Sequence, residues 1–212
     1  MKQLFKSTPK EYVATLPQAV FKGRIVVIST ITETQKAIQA LQGQTILGID
    51  TETKPAFKKG VIHKVSLLQI STNNLCFLFR LNLIGLPKEL ISILEDPTIS
   101  KIGLSLKDDL HGLCQRAHFT PAGFIDLQNV VKVIGVEDMS LQKLYANLFG
   151  YKISKSARLT NWDNDVLTDS QKHYAALDAY ACIQLYTELT SLIQTKNYTI
   201  TTAVCANSNP TE

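Results

Sequence analysis

Two carboxylates close an apolar run, Ile46-Leu47-Gly48-Ile49-Asp50, with Thr51 and Glu52 following. Side chains on a strand alternate faces, so Asp50 and Glu52, two apart, project side by side from its end. Two like charges placed there repel each other and lose hydration. A divalent cation, which takes hard oxygen ligands, is the usual compensation. A plainer reading has Asp50 capping a turn and Glu52 solvated, and both readings stand on the pair alone.

Two further acidic positions are unusual. In Lys107-Asp108-Asp109-Leu110, the residues Leu106, Leu110 and Leu113 mark the buried stripe of a helix. Asp109 borders that stripe, whereas Asp108 groups with Ser105, His111, Gly112 and Gln115 on the polar side. Asp109 is therefore the candidate for a site, and Asp108 suits a solvated acid near a helix N-terminus. In His173-Tyr174-Ala175-Ala176-Leu177-Asp178, the last residue is a carboxylate inside an alanine-rich helical run. It is costly there unless paired or liganded. Tyr174 lies one turn before Asp178 on the same face. The alternative is an Asp turned to water, with Tyr174 as ordinary core.

These acids need elements to hold them. Residues 1–22, with Pro9 and Pro17, read as an extension packed on a domain or partly loose. Gly23 leads into the β-branched run RIVVIST, a strand. The next helix is expected to open at Thr32, with Gln35 completing a capping box, and to stop at Gly43. Gln44–Thr51, Val61–Ser71 and Leu75–Phe79 read as three neighbouring strands that begin the core, the last two forming a hairpin. Strands and helices then alternate. Helices are expected at Pro87–Leu94, Ser105–Ala117, Leu127–Ile134, Ser140–Leu148 and Asp169–Ile193. Short strands are expected at Lys101–Leu104 and Gly123–Asp126. The pattern is that of an α/β domain with a mixed sheet over 23–195, followed by a polar tail at 196–212.

Composition bounds the rest. The chain has 212 residues, 45% of them hydrophobic and 19% charged, enough for one domain with a core. Lys plus Arg is 22 and Asp plus Glu is 18, a net +4 that excludes a polycationic arm or a strongly acidic chain and leaves nucleic acid open. No apolar run approaches the roughly 20 residues needed to span a bilayer, and the first residues lack a signal-peptide core. Cys76, Cys114, Cys182 and Cys205 are scattered, with no metal-ligand spacing. They read as reduced thiols of a cytoplasmic protein, with no membrane or protein partner indicated.

The three acidic features together resemble the DEDD superfamily of 3′–5′ exonucleases. The likeness is nearest to the branch of ribonuclease D and the Werner-syndrome exonuclease. The phrases ILGIDTET, KVSLLQIS, IGLSLKDDL, FIDLQNV, MSLQKLYANLFG, NWDNDVLTDSQ and YAALDAY carry it from about Thr45 to Ala181. The resemblance implies a ribonuclease H-like fold with a mixed central sheet, antiparallel in those first three core strands, flanked by helices. It implies two divalent ions, Mg²⁺ or Mn²⁺, held by Asp50, Glu52, Asp109 and Asp178, with Asp50 bridging. Tyr174 would orient the attacking water, and 5′-mononucleotides would leave the 3′ end of DNA or RNA. One branch of the superfamily uses H-x-x-x-x-D in its last motif and the other Y-x-x-x-D; here His173 and Tyr174 fit both. Thr168 and Gln171 resemble a capping box, which starts the helix before His173. At 100° per residue Tyr174 lies roughly 40° from Asp178 around the helix and His173 about 140°, so the tyrosine type is expected. Many relatives have Pro where Val166 stands. The extra C-terminal helical domains of ribonuclease D have no counterpart in the likeness, so its transfer-RNA specificity is not carried over.

From Thr53 to Lys88 there is no acidic residue. Lys54, Lys58, Lys59, Lys64 and Arg80, with His63 among them, could track phosphates of a single-stranded or 3′-recessed nucleic acid. Thr51 beside the acids, Leu68 and Gln69 as a wedge at the terminal base, and His111 as a stacking ring are further expected substrate contacts. Lys152, Lys155 and Arg158 could form a second phosphate patch. Two competing functions are a nucleic-acid-binding module with a lapsed site and a phosphodiesterase for very short oligonucleotides.

Overall fold

Apolar residues recur with strand period from 46 to 80, and this stretch builds the centre of the molecule. A computed structural model describes residues 1–58 and 60–202. β1 (Lys2–Phe5) and α1 (Lys10–Thr15) come first, then β2 (Arg24–Ile28) and α2 (Ile31–Leu41). β3 (Ile46–Thr53), β4 (Val65–Ser71) and β5 (Leu75–Arg80) follow, then the short α3 (Leu81–Ile84) and α4 (Lys88–Glu95). β6 (Ser100–Gly103), α5 (Leu106–Cys114), β7 (Phe124–Asp126), α6 (Leu127–Val133) and α7 (Leu141–Phe149) lead to the 27-residue α8 (Asp169–Thr195) and β8 (Tyr198–Thr201).

The main sheet has six strands in the order β2-β5-β4-β3-β6-β7. β3, β4 and β5 are antiparallel neighbours, while β2, β6 and β7 join parallel to theirs. Helices cover both faces of the sheet. On one face α6, α7 and α8 pack against Leu67, Cys76, Leu78 and Ile102. On the other, Ile38 and Leu41 of α2, Leu90 and Ile93 of α4 and Leu106 of α5 meet Leu68, Ile70, Phe77 and Phe79.

Three local expectations change. The N-cap of α2 is Thr30, two residues before Thr32: Thr30 accepts from the Glu33 N–H at 3.2 Å, and Glu33 accepts from the Thr30 N–H at 3.0 Å. A Thr-x-x-Glu box stood beside the Thr-x-x-Gln one, and the acid accepts more strongly. β4 begins at Val65, because the register with β3 shifts after Glu52 and residues 54–64 leave the sheet as a loop. Residues 1–22 and 198–201 also carry regular structure. β1 and β8 pair in parallel as a separate two-stranded sheet. Asn147 of α7 accepts from the Phe5 N–H and donates to the Phe5 carbonyl, and Lys2 pairs with Glu188 of α8 at 2.5 Å. The polar tail beyond residue 202, Cys205 included, lies outside the described residues.

Candidate active site

The site forms where β3 meets α8. Gly48 lets the two backbones touch: a Cβ there would lie 1.9 Å from the Ala179 carbonyl oxygen. That contact sets Asp178 against the end of β3. Asp50, Glu52 and Asp178 each offer an oxygen within 4.8 Å of the others. Asp50 is half-buried and the other two are buried, and Asp178 Oδ1 has no hydrogen-bond partner.

Burial and mutual repulsion disfavour full ionisation of this cluster. Burial first, then the charges of Asp178 and Asp109, push the Glu52 carboxyl up to about 9, with Arg158 pulling the other way. Burial and then Asp178, Asp109 and Glu52 hold Asp50 well above the usual carboxylate range. Burial raises Asp178 to about 7, against the lowering influence of Tyr174 and Arg158. Three converging carboxylates, one with an orphaned buried oxygen, are a hard-oxygen donor set that fits a divalent cation.

Asp109 stands beside the three. Thr51, half-buried on β3, donates its hydroxyl to Asp109 Oδ1. Burial raises the Asp109 carboxyl, and the Thr51 hydrogen bond opposes it. Asp108, its neighbour, is exposed. The helix that carries Asp109 is aimed by a residue not singled out in the sequence. Asp126, which caps α6 by accepting from Gln128 N–H at 2.8 Å, also accepts from Ser105 N–H at 3.0 Å and Leu106 N–H at 2.9 Å. It thereby satisfies the first donors of α5 and pins the left-handed turn at Ser105 (φ 61°). Its trace in the sequence is an acid ending a short strand immediately before an apolar helix.

α8 opens as expected, with Thr168 and Gln171 forming both halves of a capping box. Gln171 also donates to Thr160 Oγ1 and the Asn161 carbonyl, at 3.0 and 3.1 Å. Tyr174 is buried beside Asp178, and His173 is exposed. Burial, then the charges of Asp178 and Glu52, raise the Tyr174 phenol far above its ordinary value, so it stays protonated. Trp162, fully buried, lies behind Tyr174 with ring centroids 6.2 Å apart.

A cavity of about 520 Å³ opens on the cluster. Thr51, Glu52 and Asp109 line it together with His63, His111 and Arg158, and Ile62 and Leu159 add exposed apolar walls. Of the expected substrate contacts, Thr51 and His111 are therefore in the cleft. Lys54 is half-buried and Lys58 and Lys64 are exposed, all three in the 54–64 loop and outside the cavity lining. Lys59 lies outside the described residues. Leu68 and Gln69, expected at a terminal base, are both fully buried, and Leu68 points into the core on the face away from the acids. Sheet strands covered on both faces leave neither side chain free. Arg80 also leaves the basic track. It is buried and donates to the Asn164 and Asp165 carbonyls, tying down the loop before α8. Arg158 lines the cleft with Glu52 and Asp109, and its charge acts on Glu52 and Asp178. Its sequence neighbours Lys152 and Lys155 do not join it: Lys152 donates to the Ala14 carbonyl, and Lys155 lines a different cavity. Its sequence signal is a lone arginine between Ala157 and Leu159, detectable only once the 154–162 loop is folded over the site.

A family model described as 3′-5′ exonuclease matches residues 25–194 of the chain. The chain belongs to the 3′-5′ exonuclease family. The match spans the main sheet and nearly all of α8, so it includes all four acids and Tyr174. The bifunctional 3′-5′ exonuclease/ATP-dependent helicase WRN of Mus musculus is 32% identical over 153 residues, 69% of this chain and 11% of that protein. A 3′-5′ exonuclease of Arabidopsis thaliana is 32% identical over 192 residues, 83% of this chain and 67% of its own length. The chain thus spans only about a tenth of the WRN protein. In fold it is similar to the crystal structure of Escherichia coli RNase D, with a TM-score of 0.73 and 22% identity over 81% of this chain and 46% of that one. This exonuclease domain has the mixed α/β architecture expected of the ribonuclease D and WRN branch. No helix among the described residues is long and apolar enough to cross a membrane.

Proposed function

We propose that this domain is a metal-dependent 3′–5′ exonuclease of the tyrosine type, releasing 5′-mononucleotides from single-stranded or 3′-recessed nucleic acid. The observation that carries the reading is the convergence of Asp50, Glu52 and Asp178 within 4.8 Å, beside the buried Tyr174. Asp50, Glu52 and Asp178 would hold one Mg²⁺ or Mn²⁺, and Asp50 with Asp109 a second. When bound, such ions supply the Lewis acidity that lets water act as a nucleophile at neutral pH and that offsets charge on the leaving 3′ oxygen.

The remaining work falls to the chain's own side chains. The Tyr174 phenol keeps its proton across the working range, so its role is to orient the attacking water by hydrogen bonding rather than to accept the proton. Thr51 holds Asp109 in a single orientation through its hydroxyl. Arg158, at the mouth of the cleft, is placed to take a phosphate oxygen and to keep the terminal phosphodiester over the acids. His111 and the apolar side chains of Ile62 and Leu159 offer stacking and contact surface to an unpaired base.

The test uses single-stranded DNA and RNA of several lengths, labelled at the 3′ or the 5′ end, with Mn²⁺ or with chelator. Metal-dependent loss from the 3′ end, abolished in Asp50→Ala, is expected. Binding without cleavage on every substrate would replace this reading with that of a non-catalytic nucleic-acid module. Cleavage confined to the shortest oligomers would narrow it to an oligonucleotide diesterase.

A further inference from the structure

Gln69 is an anomaly in the core. It is 0% exposed, and both ends of its amide, Oε1 and Nε2, are buried without a hydrogen-bond partner. It stands directly across the β3–β4 ladder from Asp50. Residues opposite one another on antiparallel strands share a face, with Cβ atoms about 4.5–5.5 Å apart. Its counterpart on the other side, in β5, is the apolar Leu78. Along β4 the same face carries Leu67, opposite Glu52, and Ser71, opposite Gly48. The Ser71 hydroxyl is already used, donating to the Thr72 carbonyl at 2.8 Å. The amide therefore has an apolar neighbour on one side and a carboxylate on the other.

An unpaired buried amide weakens a fold, and a methionine or leucine of similar size would avoid that loss. Such a group makes sense where it is satisfied in another state of the site. Carboxylates that ligate metals are themselves held by hydrogen bonds from a surrounding shell, and removing such a partner typically weakens metal binding or activity 10–100-fold.

We infer that Gln69 is a positioning residue for Asp50: its amide N–H donates to one Asp50 oxygen and fixes the rotation of the carboxylate for cation binding by the other. This rests on the metal centre proposed above. The Gln69 carbonyl oxygen remains free to accept from a buried water or hydroxyl. The cost to the cation-free fold and the gain on loading are then two sides of the same side chain.

The experiment compares the intact chain with Gln69→Met, which keeps the volume and removes the amide. Mn²⁺ affinity is measured by calorimetric titration, and the melting temperature is measured in chelator. The expected result is Mn²⁺ binding weakened about tenfold or more, with a melting temperature in chelator equal to or above that of the parent. Unchanged Mn²⁺ affinity would overturn the inference. So would a loss of affinity that merely follows a drop in melting temperature, since that is the mark of a packing role. A second measurement needs no variant: the Gln69 side-chain amide is followed by NMR in the parent as Mg²⁺ is added. Its N–H resonance should move downfield and its solvent exchange should slow. A silent amide in a protein that binds the cation removes the role of Gln69 alone. A parent that binds no cation removes the metal centre itself.

Discussion

The Ala179 carbonyl oxygen occupies the space that a side chain on Gly48 would need, 1.9 Å from the Cβ position. The backbone of α8 thus rests directly on β3, and this contact sets the distance between Asp178 and the pair Asp50 and Glu52. Gly48→Ala must push the helix away from the strand. Overpacking of this kind costs about 1–3 kcal/mol. A lower melting temperature and weaker Mn²⁺ binding in calorimetry are expected together. A Gly48→Ala protein with parental Mn²⁺ affinity would show that the helix-to-strand spacing does not set the site.

The register of α8 makes a second prediction. Tyr174 faces the acids and His173 faces solvent. Tyr174→Phe should lower kcat by at least about tenfold, in line with general acid–base and water-positioning roles, whereas His173→Ala should stay near the parent. On α5, Asp109→Ala should lose most activity and Asp108→Ala little. Reversed outcomes in steady-state assays would move the site to the other face of either helix.

The raised acids predict an unusual pH dependence. Glu52 titrates near 9 and Asp178 near 7 in the folded chain, against about 4.3 and 3.9 for free side chains. Over that window the folded state binds more protons than the unfolded one, so stability falls as pH rises from about 5 to 9. In chelator the melting temperature should therefore be lower at pH 8.5 than at pH 6. Mg²⁺ should raise it most at the higher pH, and Glu52→Gln in chelator should raise it too. A melting temperature that climbs with pH in chelator would contradict the burial of these groups.

Arg158 carries a prediction with opposite signs. Its positive charge lowers the pKa of Glu52 and Asp178, and a bound cation would compete with it for the same carboxylates. Arg158→Ala should bind Mn²⁺ more tightly while raising the KM for oligonucleotide about tenfold, the scale of one hydrogen bond to a charged group. Calorimetry and steady-state kinetics read the two effects separately. A KM unchanged by the substitution would take Arg158 out of the substrate path.

The acids of the proposed site were legible because they broke local rules. Asp50 and Glu52 end an apolar strand, Asp178 sits in an alanine run, and helix geometry alone separates Tyr174 from His173. What stayed hidden depends on contacts distant in sequence. β1 and β8 are four-residue strands whose partners lie 196 positions apart, as for Lys2 and Tyr198, so no local pattern marks the pairing. Arg80 reads as one more cation of a basic stretch until the Asn164 and Asp165 carbonyls are folded over it. Leu68 and Gln69 look available on a hairpin, and only the two layers of helices show that neither face of β4 is open. Asp126 serves two helices at once, and the second lies upstream by 20 residues.

The pairing of Lys2–Phe5 with Tyr198–Thr201 also bears on how such a unit can be reused. These two strands run side by side, latched to α7 and α8 rather than to the acidic cleft. Because the two strands are parallel, the chain enters at one end of this four-residue ladder and leaves at the other, so an extension at either side would depart without crossing the sheet that holds the acids.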